Sequence, residues 1–105
     1  MKKITILLPA YNEASSIGLL QVKMLQVAAM NPGYDWEFLI VNDGSTDNTL
    51  QKIKELHNTD RRFSYLDLSR NYGKEIAMMA GFDYATGDAV IIMDSDMQHP
   101  ISSIP

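Results

Sequence analysis

Four short apolar runs, each closed by polar or turn-forming residues, constrain the fold of this chain more than any other feature. Residues 4–8 are β-branched and leucine-rich and run into Pro9. Residues 37–41 end at Asn42-Asp43-Gly44. Residues 63–68 alternate more and end at Ser69-Arg70-Asn71. Residues 89–93 end at Asp94. Continuous apolar runs of this length suit strands covered on both faces, as in a parallel sheet. Helical periodicity fills the intervals. Ile17, Leu20, Met24, Val27 and Ala28 share one helical face, and Asn31-Pro32-Gly33 stops that helix. Leu50, Ile53 and Leu56 recur every three residues after Ser45-Thr46-Asp47, which offers capping oxygens. Ile76, Met79, Ala80 and the residues 82–84 make a third helical stretch, with Gly87 as its expected stop. Strand and helix thus alternate, which predicts an α/β fold: a Rossmann-like parallel sheet with helices on both faces.

The chain has 105 residues, enough for one small domain. Nine basic against thirteen acidic residues leave a net charge of −4, so no basic face is expected for nucleic acid. With 46 % hydrophobic and 21 % charged residues the composition is that of a folded domain. Cysteine is absent, which removes disulfides, thiolate metal sites and cysteine nucleophiles together. No apolar stretch approaches the roughly 20 residues that span a bilayer. The opening Met1-Lys2-Lys3 followed by a short apolar run is too brief for a signal peptide, so a cytoplasmic location is expected. Residues 99–105 read as the start of another element, and the chain is expected to be a fragment.

In a parallel sheet all strand C-termini lie on one edge, where ligands bind near the point at which strand order reverses. Each predicted strand here delivers polar residues to that edge. With strand order 3-2-1-4, Glu13, Asp43, Asp94 and Asp96 converge on one crevice. Asp94 and Asp96 are the sharpest signal. Two carboxylates one residue apart repel each other unless a cation is present, and hard oxygen ligands suit Mg²⁺ or Mn²⁺. The competing reading is an Asp-Ser-Asp turn cap. Asp43 is suited to accept a hydrogen bond from a base N–H or a ribose hydroxyl, or to cap the turn at Gly44-Ser45. Glu13 serves such a site or simply the positive end of the first helix, and Tyr11 is a stacking surface or an ordinary half-buried tyrosine. Arg70 and Lys74 are the basic residues on this edge, either phosphate ligands or solvated loop charges. Gly73 permits a close approach, but there is no Walker loop and no dinucleotide fingerprint. His99 stands near Asp96 in sequence, His57 ends a helix, and Met78, Met79, Met93 and Met97 read as core filler.

Three of these segments together resemble a known family. Pro9-Ala10-Tyr11-Asn12-Glu13, then Val41-Asn42-Asp43-Gly44-Ser45-Thr46-Asp47-Asn48-Thr49, then Asp94-Ser95-Asp96-Met97-Gln98-His99-Pro100 resemble the family 2 glycosyltransferases of GT-A fold. Ser69-Arg70-Asn71-Tyr72-Gly73-Lys74-Glu75 narrows the resemblance to the branch that loads sugars onto polyprenyl phosphates, such as dolichol-phosphate mannose synthase. Ile101 departs mildly, standing where many relatives carry a second proline.

The resemblance implies a nucleotide-sugar donor, UDP- or GDP-linked, a polyprenyl phosphate acceptor, and Mg²⁺ or Mn²⁺. It implies that residues 1–105 form the N-terminal nucleotide-sugar-binding part of the domain, at the cytoplasmic face of a membrane reached through other regions. It implies Pro9, Ala10, Tyr11 and Glu13 lining the nucleoside pocket, Asp43 on base or ribose, and Lys74 near the donor. Asp94 and Ser95 would lie by the ribose, and Asp94, Asp96 and Gln98 by the metal, with Asp96 the catalytic ligand. Two alternatives remain. One is a family 2 enzyme extending a surface polysaccharide. The other is a non-catalytic nucleotide-binding fragment. A phosphoryl receiver would need its acid pair after the first strand, where Pro9-Ala10 stands.

Overall fold

A computed structural model describes residues 1–93. Four parallel strands form one sheet in the order β3-β2-β1-β4, with β1 Lys3–Ala10, β2 Asp35–Asn42, β3 Phe63–Asp67 and β4 Ala89–Ile92. The helices α1 Ile17–Met30, α2 Thr49–Thr59 and α3 Lys74–Tyr84 connect them in turn, and a short 3₁₀ turn, Ala14–Ser16, precedes α1.

The pleat of the sheet sorts the side chains onto two faces. Ile4, Ile6, Leu8, Trp36, Phe38, Ile40 and Phe63 point to one side. There they meet Ile17, Leu20, Met24 and Val27 of α1 and Ile53 and Leu56 of α2. Phe38 lies against Phe63 with ring centroids 4.8 Å apart and stacks on Trp36 at 6.1 Å. Each such fully buried side chain stabilises the fold by roughly 1.5–3 kcal/mol. Leu7, Leu39 and Val41 point to the other side, against Ala77 of α3. The two central strands are buried on both faces, as expected. β3 and β4 form the edges and are only partly covered.

Three expectations need correction. Pro9 does not close β1, which continues through Pro9 and Ala10 in register with Val41 and Asn42. Leu7 turns its carbonyl toward β4, accepting from Met93 N–H at 3.0 Å. Pro9, two residues on, turns its missing N–H to the same side, where the pairing has already ended at Ile92. Gly87 does not stop α3. The helix ends at Tyr84 with Ala85 extended, and Gly87 instead presses on β1, where a Cβ would lie 2.6 Å from Thr5 N and Oγ1. The apolar residues of α3 do not mark its inner side either. Ile76, Met79 and Phe82 are exposed, and the buried positions are the small Ala77 and Gly81. Small residues let the helix lie close on the sheet; a Cβ at Gly81 would overlap the Leu7 side chain. Met79 is therefore not core filler, whereas Met93 is buried and Met78 packs against the second core.

Candidate functional site

α1 and α2 lie on one face and α3 on the other, so the strand order turns back between β1 and β4. That is where ligands bind in open parallel sheets, beyond the strand C-termini. The loop after β1 borders this crevice, and the loops after β2 and β3 continue the same edge.

The three loops are joined by side chains that bind backbone. Asn12 adopts φ +50°, a left-handed conformation that asparagine tolerates better than most residues. Its Oδ1 accepts from Thr46 N–H at 2.7 Å and from Asp47 N–H at 3.3 Å, and its own N–H donates to Ser45 Oγ at 3.0 Å. Glu13 N–H donates to Thr49 Oγ1 at 2.9 Å and Ala14 N–H to Asp47 Oδ2 at 3.4 Å. Thr49 donates to Asp47 through both its N–H and its hydroxyl. These bonds hold the Asp47 carboxyl below its ordinary value, the Thr49 hydroxyl contributing most. The expected cap of α2 is thus Asp47 acting on Thr49, and Asn48 at the helix start makes no side-chain cap bond. Beneath them, Ser45 Oγ donates to Asn42 Oδ1 at 2.5 Å, and Asn42 Nδ2 donates to Asp67 at 2.9 Å.

Asp43 is only 4 % exposed. Its N–H donates to Ala10 O at 2.8 Å, so Ala10 and Asp43 adjoin. Its Oδ1 accepts from Tyr72 N–H at 2.8 Å and its Oδ2 from Gly73 N–H at 3.1 Å. Asn71 Nδ2 donates to Asp43 O at 3.1 Å and Oδ2 at 3.3 Å. The carboxylate therefore binds the loop after β3, a use that the sequence did not suggest. In that loop the Arg70 guanidinium sits 4.9 Å from the Tyr72 ring centroid, and Ser69 Oγ and Tyr72 OH are 3.2 Å apart. The Ser69 hydrogen bond, then Arg70, lowers the Tyr72 phenol from its ordinary value. Gly73 at φ +97° turns the chain into α3, which Lys74 begins.

Of the expected site residues, Pro9, Ala10, Tyr11, Glu13 and Asp43 lie along this edge at strand ends or in the loops beyond them, and Lys74 lies there as the first residue of α3. Pro9, Ala10 and Asp43 are buried, Tyr11 and Lys74 exposed and Glu13 intermediate. The acid pair Asp94 and Asp96, with Ser95 and Gln98, lies outside the described residues. Among the described residues no group of three His, Cys, Asp or Glu side chains stands ready for a metal ion.

A family model described as glycosyl transferase family 2 matches residues 5–105. The chain belongs to that family. It is 47 % identical over 97 residues to the putative glycosyltransferase CsbB of Bacillus subtilis (strain 168), covering 92 % of this chain and 29 % of the relative. It is 36 % identical over 106 residues to the undecaprenyl-phosphate 4-deoxy-4-formamido-L-arabinose transferase of Salmonella newport (strain SL254), covering 100 % of this chain and 32 % of the relative. The chain thus spans about a third of the length of the curated relatives it matches.

Two solved structures share the fold. The mannosyltransferase PcManGT of Pyrobaculum calidifontis, in complex with GDP-Man and Mn²⁺, superposes with a TM-score of 0.77 at 25 % identity, over 90 % of this chain and 28 % of that one. S. aureus TarS in complex with UDP-GlcNAc gives 0.74 at 27 % identity, over 90 % and 26 %. The sheet is thus the GT-A arrangement that the family resemblance implied. Asn12, Asn42, Ser45 and Asn71 are the family 2 chain's edge residues that sequence reasoning passed over. Each lay inside a quoted motif, but its partner is distant in sequence or hidden in backbone.

Proposed function

We propose that this chain is the N-terminal, nucleotide-sugar-binding part of an inverting glycosyltransferase that moves a sugar from a nucleotide-diphosphate donor to a polyprenyl phosphate. The observation that carries the reading is the edge itself: the loops after β1, β2 and β3 fastened into one surface at a strand-order reversal, in a family 2 chain. The donor is supported by the GDP-Man and UDP-GlcNAc complexes of the structural relatives. The acceptor is supported by the name of the Salmonella relative, whose match runs the whole length of this chain. We place the reaction at the cytoplasmic face of a membrane. No helix among the described residues is long and apolar enough to cross one.

In this reading Pro9, Ala10, Tyr11 and Glu13 line the nucleoside pocket and Asp43 lies beside it. Lys74 opens α3 close to the donor, where its ammonium attracts the diphosphate. The family resemblance assigns Asp94 and Ser95, outside the described residues, to the ribose. The side chains of Asp94, Asp96 and Gln98 offer oxygen donors, the kind that suits Mg²⁺ or Mn²⁺. Such an ion, when bound, supplies Lewis-acid neutralisation of the diphosphate. An acceptor phosphate oxygen forms the new bond to the anomeric carbon on the face opposite the leaving group. The old carbon–oxygen bond breaks and its electron pair departs with the nucleoside diphosphate. A phosphate monoester with a second pKa of about 6 is already largely ionised at neutral pH, so its attack requires no strong general base.

Calorimetric titration of the full-length protein with UDP and with GDP, each with and without Mn²⁺, tests the reading. Metal-dependent binding of one nucleotide, lost in Asp96→Ala, is the expected result. Unchanged affinity in Asp96→Ala at saturating Mn²⁺ refutes the metal assignment, and no binding of either nucleotide to folded protein refutes the function.

A further inference from the structure

Asp43 is a charged group almost wholly removed from water, and a buried carboxylate is stable only if donors replace its hydration. Here the donors come from one segment. Two successive backbone N–H groups, of Tyr72 and Gly73, and the side-chain amide of Asn71 all point at it. Consecutive amides converging on an anion form a small electropositive cradle, and bonds to a charged acceptor are stronger than neutral ones. The backbones of the two loops also touch, with Gly44 pressed on Arg70 and Asn71. The segment held this way is the one that carries the positive charge of the edge, Arg70 on one side of the clamped residues and Lys74 on the other.

We propose that Asp43 is a positioning residue, whose carboxylate fixes the backbone of residues 71–73 and thereby sets Arg70 before them and Lys74 at the start of α3 for the donor's diphosphate. This rests on the glycosyltransferase reading above for the identity of the ligand, while the clamp itself stands on the hydrogen bonds. It assigns Asp43 an effect that reaches the nucleotide through the loop. The effect must therefore be shared by Asn71, which contributes the side-chain arm of the same clamp. A contact with the base alone would behave otherwise, because Asn71→Ala would leave it intact.

Two measurements on the full-length protein separate the possibilities, using Asp43→Asn and Asn71→Ala. The first is residue-resolved amide hydrogen exchange without nucleotide. The Tyr72 and Gly73 amides should exchange about tenfold faster or more in Asp43→Asn, with a smaller rise in Asn71→Ala, as expected for losing a bond to a charged acceptor. The β2 amides of Phe38 and Ile40 should keep their protection. The second is titration with UDP and GDP in the presence of Mn²⁺. Both variants should raise the Kd of whichever nucleotide the parent binds, by about tenfold in Asp43→Asn, at unchanged stoichiometry.

Unchanged exchange at Tyr72 and Gly73 overturns the inference. So does a lower stoichiometry at unchanged Kd, which is the mark of mere loss of folded protein. Should Asp43→Asn fail to fold, Asn71→Ala decides alone by the same criteria. A parent protein that binds neither nucleotide, yet shows the exchange effect, sinks the glycosyltransferase reading and leaves the clamp standing.

Discussion

Replacing Gly44 by alanine should be among the most damaging single-methyl additions in this chain. Gly44 has φ +66°, which costs an L-residue about 1–2 kcal/mol. A Cβ there would overlap the Arg70 carbonyl carbon and the Asn71 nitrogen and lie 2.7 Å from Arg70 Cα. All three are backbone atoms, so no rotamer change relieves the overlap. The loop after β3 would have to retreat by about an ångström. The Tyr72 and Gly73 bonds to Asp43, now 2.8 and 3.1 Å, would then leave hydrogen-bonding range. Weakening them adds about 1.5–3 kcal/mol, since the acceptor is charged and buried. The total is about 2.5–5 kcal/mol. At roughly 4–8 °C per kcal/mol for a chain of this size, the melting temperature should fall by about 10–40 °C. Thermal unfolding followed by circular dichroism measures it directly. A shift within about 3 °C would show that the two loops do not bear on each other as described.

Further substitutions probe other joints. Gly18→Ala, in α1 with nothing within 4 Å of the added methyl, should stabilise by about 0.4–1 kcal/mol, whereas Gly81→Ala, whose methyl meets Leu7, should lower the melting temperature despite its better helix propensity; two shifts of the same sign in thermal melts would contradict this. Burial pushes Glu37 up, but the hydrogen bonds from Thr5 and Thr86, together with the Lys3 charge, outweigh it and hold the carboxyl below its ordinary value. A depressed carboxyl contributes stability above its unfolded value of about 4.3 and loses it as pH falls through the folded one. Glu37→Gln should therefore flatten the fall in stability on acidification below about pH 5, read from urea midpoints across pH.

The alternation of elements was legible because it is written in local period. Strands buried on both faces cannot avoid continuous apolar runs, and α1 shows its buried residues at the predicted spacing. The inner face of α3 was not legible. Close packing against Leu7 selects Ala77 and Gly81, so hydrophobicity pointed to the wrong side. The edge was legible only as a place. Motifs put Asn12, Asp43 and Asn71 in loops after strands, but their partners stand 28 to 35 positions away. Neither period nor propensity encodes such a pairing, and half of the groups involved are backbone amides, which leave no trace in a sequence. A left-handed turn residue such as Asn12 is the one local hint.

Those pairings bear on a difficulty in the proposed chemistry. A chain of net charge −4 is asked to bind a diphosphate, and acidic residues crowd the edge where it would bind. Two of these carboxylates are held on backbone amides. Asp43 faces the amides of Tyr72 and Gly73, and Asp47 faces those of Ala14 and Thr49. Each carboxylate is compensated by the positive ends of fixed backbone dipoles, so its field toward an incoming anion is reduced without adding a side-chain cation. Arg70 and Lys74 lie exposed on the segment that Asp43 secures. The same carboxylate that would repel a diphosphate in isolation thus arranges the cations that attract it. For that reason neutralising Asp43 is expected to weaken nucleotide binding, where charge alone would predict a gain.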